Sequence, residues 1–330
     1  MPMLRINATS SGLVLNDGLQ NVTQRLSATA GATGPAIIMI HGFKYAPGSK
    51  KHCPHNKIMA TRPGNWPSLL GFGRSSPDEG LGVAFGWYAR GSLSTVHARA
   101  QHLGQHLAGL VLKLSRTNPT RPIHVVAHSL GAEIALSALN HLPAHAINRM
   151  VLLTGASYAD AARERLDTPA GRSVDVLNVT SRENDLFDLA FERLVQPRLA
   201  KDRAIGLGIA ARNVLTLQLD CPKTLEALGT LGFDIAGASR RVCHWSSYRR
   251  PGAMAFYSAF LRTPVAFSVH RLKRALPAQT APRWSRLLAM PQRPLASRGM
   301  ALPLRAQQVG SSPRGLAAAI AGASKNEPAY

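Results

Sequence analysis

The sequence predicts an α/β fold, a mainly parallel sheet flanked by helices, and three observations predict it. Short apolar runs alternate with segments of helical period through the middle of the chain. Each run is almost continuously hydrophobic, which implies burial on both faces, as where crossover helices cover each side of a parallel sheet. The 330 residues, 45% of them hydrophobic, are enough to bury a sizeable core.

The runs at 36–40, 81–87, 123–127, 150–154, 174–180 and 214–219 read as strands. Between the second and third, Val96, Ala100, Leu103, Leu107, Leu110, Val111 and Leu114 recur at three- and four-residue intervals and mark one apolar face of a helix. Leu130, Ile134, Ala138 and Leu142 mark the buried stripe of the next helix. Residues ahead of Gly34 read as an antiparallel lead-in strand or hairpin, with Asn16, Asp17 and Gly18 as turn residues. The connection 44–80 is longer than a structureless loop normally is, so it is expected to line or cover a site.

Charge is distributed unevenly. The chain carries 39 Lys and Arg against 17 Asp and Glu, a formal net charge of +22, and is expected to attract polyanions. From Arg262 onward there are 11 Lys and Arg against one Glu, with eight of the 22 prolines. Such a segment buries too little apolar surface to offset its ordering entropy. The expected division is therefore a folded domain over 1–262 and a disordered, Pro- and Arg-rich basic tail over 263–330. Three scattered cysteines make no disulfide framework, and no apolar run approaches the length of a membrane span or a signal-peptide core. These features predict a cytoplasmic chain without a transmembrane segment.

The most informative stretch is Ala127-His128-Ser129-Leu130-Gly131, where a buried strand runs into a helix through a small-x-Ser-x-Gly turn. A serine presented this way needs tiny flanking residues because the turn is strained, and Ala127 and Gly131 supply them. The helix start favours an oxyanion through unpaired N–H groups and the positive end of the dipole, so the Leu130 N–H is one expected donor. Ile40-His41-Gly42-Phe43, leaving an earlier strand, offers the Phe43 N–H as the other, with His41 bracing that loop.

With the HGF loop after one strand and the AHSLG elbow after another, in that order, the chain resembles the α/β-hydrolase superfamily over roughly 36–261. The usual pattern has Gly where this chain has Ala127. The likeness is to serine esterases, lipases and thioesterases and not to relatives with Asp as nucleophile. It implies the α/β-hydrolase fold, here with a small cap or none, because only about twenty residues separate the strands at 150–154 and 174–180.

The resemblance also implies the order Ser, acid, His. The acid is expected in the loop leaving strand 174–180, at Asp185, with Asp188 and Glu183 as rivals. The base is expected at His244, since no other histidine lies between His145 and His270. Ser129 would attack the acyl carbon, His244 act as base and then acid, and Asp185 orient His244. No cofactor or metal is expected: the His52, Cys53, His55 cluster has no standard zinc spacing. The expected partner is a small acyl ester or thioester, with weak nonspecific polyanion binding by the tail and no specific nucleic acid. Trp66, Trp87 and Trp245 read equally as pocket or core. Two other functions compete, a catalytically inactive hydrolase-fold binding protein acting through its basic surface and an acyltransferase using the same acyl-enzyme.

Overall fold

The computed structural model describes residues 3–18, 21–31, 33–278 and 281–288. Eight strands form one sheet: β1 (Met3–Thr9), β2 (Gly12–Leu15), β3 (Ala36–Ile40), β4 (Leu81–Trp87), β5 (Ile123–His128), β6 (Arg149–Leu153), β7 (Asp175–Thr180) and β8 (Val214–Gln218). Their order across the sheet is β2-β1-β4-β3-β5-β6-β7-β8, and every pairing is parallel except β1 with β2. The expected lead-in hairpin is present, but its turn falls at Ser10 and Ser11; Asn16, Asp17 and Gly18 follow β2 instead.

Alternation along the strands divides the core in two. Ile38 and Ile40 of β3, Val125 and Ala127 of β5 and Met150 and Leu152 of β6 face one layer, while Ile37, Met39, Val126, Val151 and Leu153 face the other. The first layer is covered by the helix Leu93–Thr117, whose buried stripe includes Val96, Ala100, Leu103, Leu107, Leu110, Val111 and Leu114, and by the helix Gly131–Ala138. Ser92 caps the longer helix by accepting the Thr95 N–H. Gly131–Ala138 is buried on every side, its polar Glu133 and Ser137 included, and Glu133 is paired with Arg165 at 2.7 Å. The β6–β7 connection is taken up by two short helices, Ala159–Leu166 and Pro169–Ser173, with Ala162, Leu166 and Ala170 buried in the same layer.

The second layer is covered by the helix Ala253–Arg262, and here the packed body runs past the boundary expected at 262. A further helix, Val269–Ala275, buries Val269 and Leu272 in the same layer. Arg149, at the start of β6, fastens this segment: its guanidinium donates to the carbonyls of Phe260, Pro264 and Phe267 and lies 4.5 Å from the centre of the Phe260 ring. A single buried cation from the middle of the sequence thus orders residues whose local composition reads as tail. Of the tail expected over 263–330, residues 279–280 and 289–330 lie outside the described residues. Among the described residues, no helix is long and apolar enough to cross a membrane.

Candidate functional site

The site is assembled at the carboxyl ends of β3, β5, β6 and β7. Immediately after β5, Ser129 has φ 53°, a left-handed conformation that costs an L-residue about 1–3 kcal/mol and persists only where its surroundings over-determine it. They do so here. The Ser129 N–H donates to the Leu153 carbonyl at 3.1 Å, and the Ser129 carbonyl accepts the N–H groups of Ala132 and Ala156 at 3.0 and 2.9 Å. Two glycines leave the necessary room. A Cβ on Gly131 would stand 2.7 Å from the His41 carbonyl oxygen, and one on Gly42 would stand 2.6 Å from the Ser129 Cβ and 3.0 Å from the His128 carbonyl oxygen. Gly42→Ala is expected to cost about 1–3 kcal/mol in chemical denaturation, because the His128 carbonyl and the Ser129 Cβ have to give, and to displace Ser129.

The loop carrying Phe43 is fixed by His41. The His41 Nε2 accepts the Trp87 backbone N–H at 3.0 Å, so the ring proton sits on Nδ1 and donates to the Gly42 carbonyl at 2.9 Å; the Trp87 indole N–H donates to the His41 carbonyl. Burial lowers the His41 pKa to about 3, keeping the ring neutral as this pattern requires. Among the described residues, neither the Phe43 nor the Leu130 N–H donates a backbone hydrogen bond, which leaves both for an external acceptor.

Ser129 and His244 line one cavity of about 330 Å³, together with His128, Thr154 and Asn184. The main chain at His244 is tied to the elbow: its carbonyl accepts from His128 Nε2 and Thr154 Oγ1, each at 3.2 Å. Its ring lies between Phe187, stacked at 4.6 Å between centroids, and His128, tilted at 4.6 Å. Burial, and secondarily His128, pushes the His244 pKa well below the ordinary imidazole value. The Nδ1 of His244 meets Asn184 Oδ1 at 2.7 Å.

That last contact differs from the sequence expectation. The acid was expected at Asp185, and the residue at His244 is its neighbour Asn184. Asp185 is turned to the other side of the turn Arg182–Asn184, where it pairs with Arg182 at 3.1 Å and accepts the Trp284 N–H at 2.6 Å. The rival Asp188 stands behind Asn184 and accepts its amide N–H at 2.9 Å. Glu183 pairs with Arg250, both buried. All three carboxylates of this segment therefore have partners other than the imidazole. Asp185→Ala should lower thermal stability, since it leaves Arg182 short of its partner at about 3 kcal/mol, yet the imidazole keeps its Asn184 contact.

One wall of the cavity comes from the helix Asp185–Leu194, which presents Phe187, Ala190, Phe191 and Leu194 at helical spacing. Sequence reasoning missed this wall because such a stripe reads as ordinary core. The connection 44–80 contributes Lys44, Tyr45 and His52, as its length suggested. Of the three tryptophans in question, Trp66 and Trp87 are core and Trp245 lines the cavity. No protein-family model and no curated protein matches the chain.

Proposed function

We propose that the protein is a serine hydrolase that cleaves a carboxylic ester or thioester through an acyl-enzyme at Ser129. The observation that carries this reading is the meeting, in one cavity, of a serine held at φ 53° and an imidazole whose Nδ1 is engaged. With the proton on Nδ1, donating to Asn184 Oδ1, the Nε2 lone pair is the one able to take the Ser129 proton. The serine oxygen then attacks the acyl carbon, and the N–H groups of Phe43 and Leu130 receive the charge that develops on the carbonyl oxygen. The imidazolium returns its proton to the departing alkoxide or thiolate; water repeats the sequence and frees the carboxylic acid.

An amide in place of the customary carboxylate orients the ring as well but gives the imidazolium no countercharge. Phe43, Leu93, Phe187, Phe191, Leu194 and Trp245 favour an apolar acyl group. A fluorophosphonate probe tests the reading. Covalent adduction at Ser129, lost in Ser129→Ala, is the expected result. Folded wild-type protein that fails to react would favour a binding protein on the same scaffold.

A further inference from the structure

We propose that Asp188 is a positioning residue: its carboxylate fixes the Asn184 amide so that His244 keeps its proton on Nδ1 and presents Nε2 to Ser129. The inference rests on the serine-hydrolase reading and adds a device to it. Three contacts in series carry it. His244 Nδ1 meets Asn184 Oδ1 at 2.7 Å, Asn184 Nδ2 donates to Asp188 Oδ1 at 2.9 Å, and Asp188 Oδ2 lies 2.0 Å from where a Cβ on Gly206 would be built. The close backbone of Gly206 leaves the carboxylate no room to swing away. All three side chains are buried or line the cavity.

The chemistry makes the series directional. An ionised carboxylate only accepts, so it selects the amide nitrogen of Asn184 and turns the amide oxygen toward His244. That oxygen in turn only accepts, which places the imidazole proton on Nδ1. A protonated Asp188 keeps an acceptor oxygen but also carries an O–H, so it no longer selects one face of the amide. The reverse series is then open: Asp188 donates to the amide oxygen, the amide nitrogen turns to His244 Nδ1, and the ring proton moves to Nε2, where it blocks attack. In a serine protease, holding the histidine in the wrong tautomer costs about 10⁴ in rate.

Asp188 is poised between these states. Burial raises its pKa to about 7, with Asp185 and Glu192 acting in the same direction and Arg182 and Arg283 opposing them. Ionisation on the alkaline side therefore switches the site on. Burial shifts the His244 imidazole in the opposite direction, downward, and the Asp188→Asn variant separates the two titrations.

The experiment compares fluorophosphonate labelling rates from pH 5 to 9 in wild type, Asp188→Asn and the exchanged pair Asn184→Asp with Asp188→Asn. Wild type should label faster as pH rises through about 7. Asp188→Asn should lose about 10²-fold at pH 8 and show no step near 7. The exchanged pair, which puts a carboxylate directly on His244 with an amide behind it, should recover to within about tenfold of wild type. Wild-type rates in Asp188→Asn, or a loss that the exchange leaves in place, would overturn the role of Asp188.

A second readout needs no variant and no reaction. The ¹⁵N shifts of His244 in wild type should report Nδ1–H above pH 7 and Nε2–H below it. One tautomer throughout would sink the inference. Should wild type fail to label while this change of tautomer is seen, the hydrolase reading falls and the positioning device stands.

Discussion

Replacing His244 with alanine is expected to lower nitrophenyl-ester turnover by about 10⁴ or more, and Asn184→Ala by about 10². The difference follows from what each side chain does. On the serine-hydrolase reading His244 is the base that takes the Ser129 proton, and His128, which lines the same cavity, is committed elsewhere: its Nε2 faces the His244 carbonyl at 3.2 Å and burial lowers its pKa to about 4. Without Asn184 the imidazole stays in place, because Phe187 and His128 still hold it between them and its main chain is still tied to Thr154. What is lost is the acceptor that selects the Nδ1–H tautomer. Steady-state kinetics on both variants, with circular dichroism to establish that they fold, separates the two cases. Equal losses would mean that His244 is positioned by Asn184 alone, and activity in His244→Ala would mean that the base has been misassigned.

The fold was legible in the sequence where burial is two-sided. The runs at 36–40 and 81–87 coincide with β3 and β4, and the other four expected strands fall within a residue or so of β5 to β8. Strands buried on both faces write their limits in composition, since the first polar or turn residue is where the helix layer ends. The boundary at 262 was not legible for the converse reason. Pro264 and Phe267 are held by Arg149, a partner more than a hundred positions away, which lets Val269, Leu272 and Leu276 pack into the second layer, and no local signal announces a long-range hydrogen bond to a main-chain carbonyl.

The site divides along the same line. Ser129, the Phe43 loop and the elbow helix are local consequences of steric demands, so Gly42, Ala127 and Gly131 reveal them. His244 came from order along the chain and the scarcity of histidines, and it does share the cavity of Ser129. The residue at its Nδ1 depends on how a single turn, Arg182–Asn184, winds after β7. A shift of one position exchanges Asp185 for Asn184. The decisive information lies in the partners of the carboxylates: Arg182 and the Trp284 N–H draw Asp185 away, and Arg250 draws Glu183.

Glu183→Ala should be the most destabilising single change near the site, at about 3–5 kcal/mol, or roughly 10 °C in melting temperature. Glu183 and Arg250 are both almost fully buried, so removing the carboxylate strands a guanidinium that water cannot reach. The consequence for function is separate from the cost in stability. Glu183 directly precedes Asn184, its carbonyl accepts the Cys243 N–H at 2.8 Å and its carboxylate accepts the Arg240 N–H at 3.3 Å. Arg250 reaches back to the Ala236 carbonyl at 3.2 Å. The pair thereby joins the turn that delivers Asn184 to the segment that delivers His244. Combining Glu183→Leu with Arg250→Leu removes both charges and is expected to restore most of the stability, as apolar replacement of a buried ion pair commonly does. Activity should stay low in that double variant, because the Arg240 and Ala236 contacts are gone and the main-chain bond from Cys243 to Glu183 is left to join the two segments without them. Thermal melts and fluorophosphonate labelling on the same samples test the distinction: recovery of both together would reduce Glu183 to a stabilising residue, whereas recovery of the melt alone would establish it as the joint that aligns the imidazole with its amide.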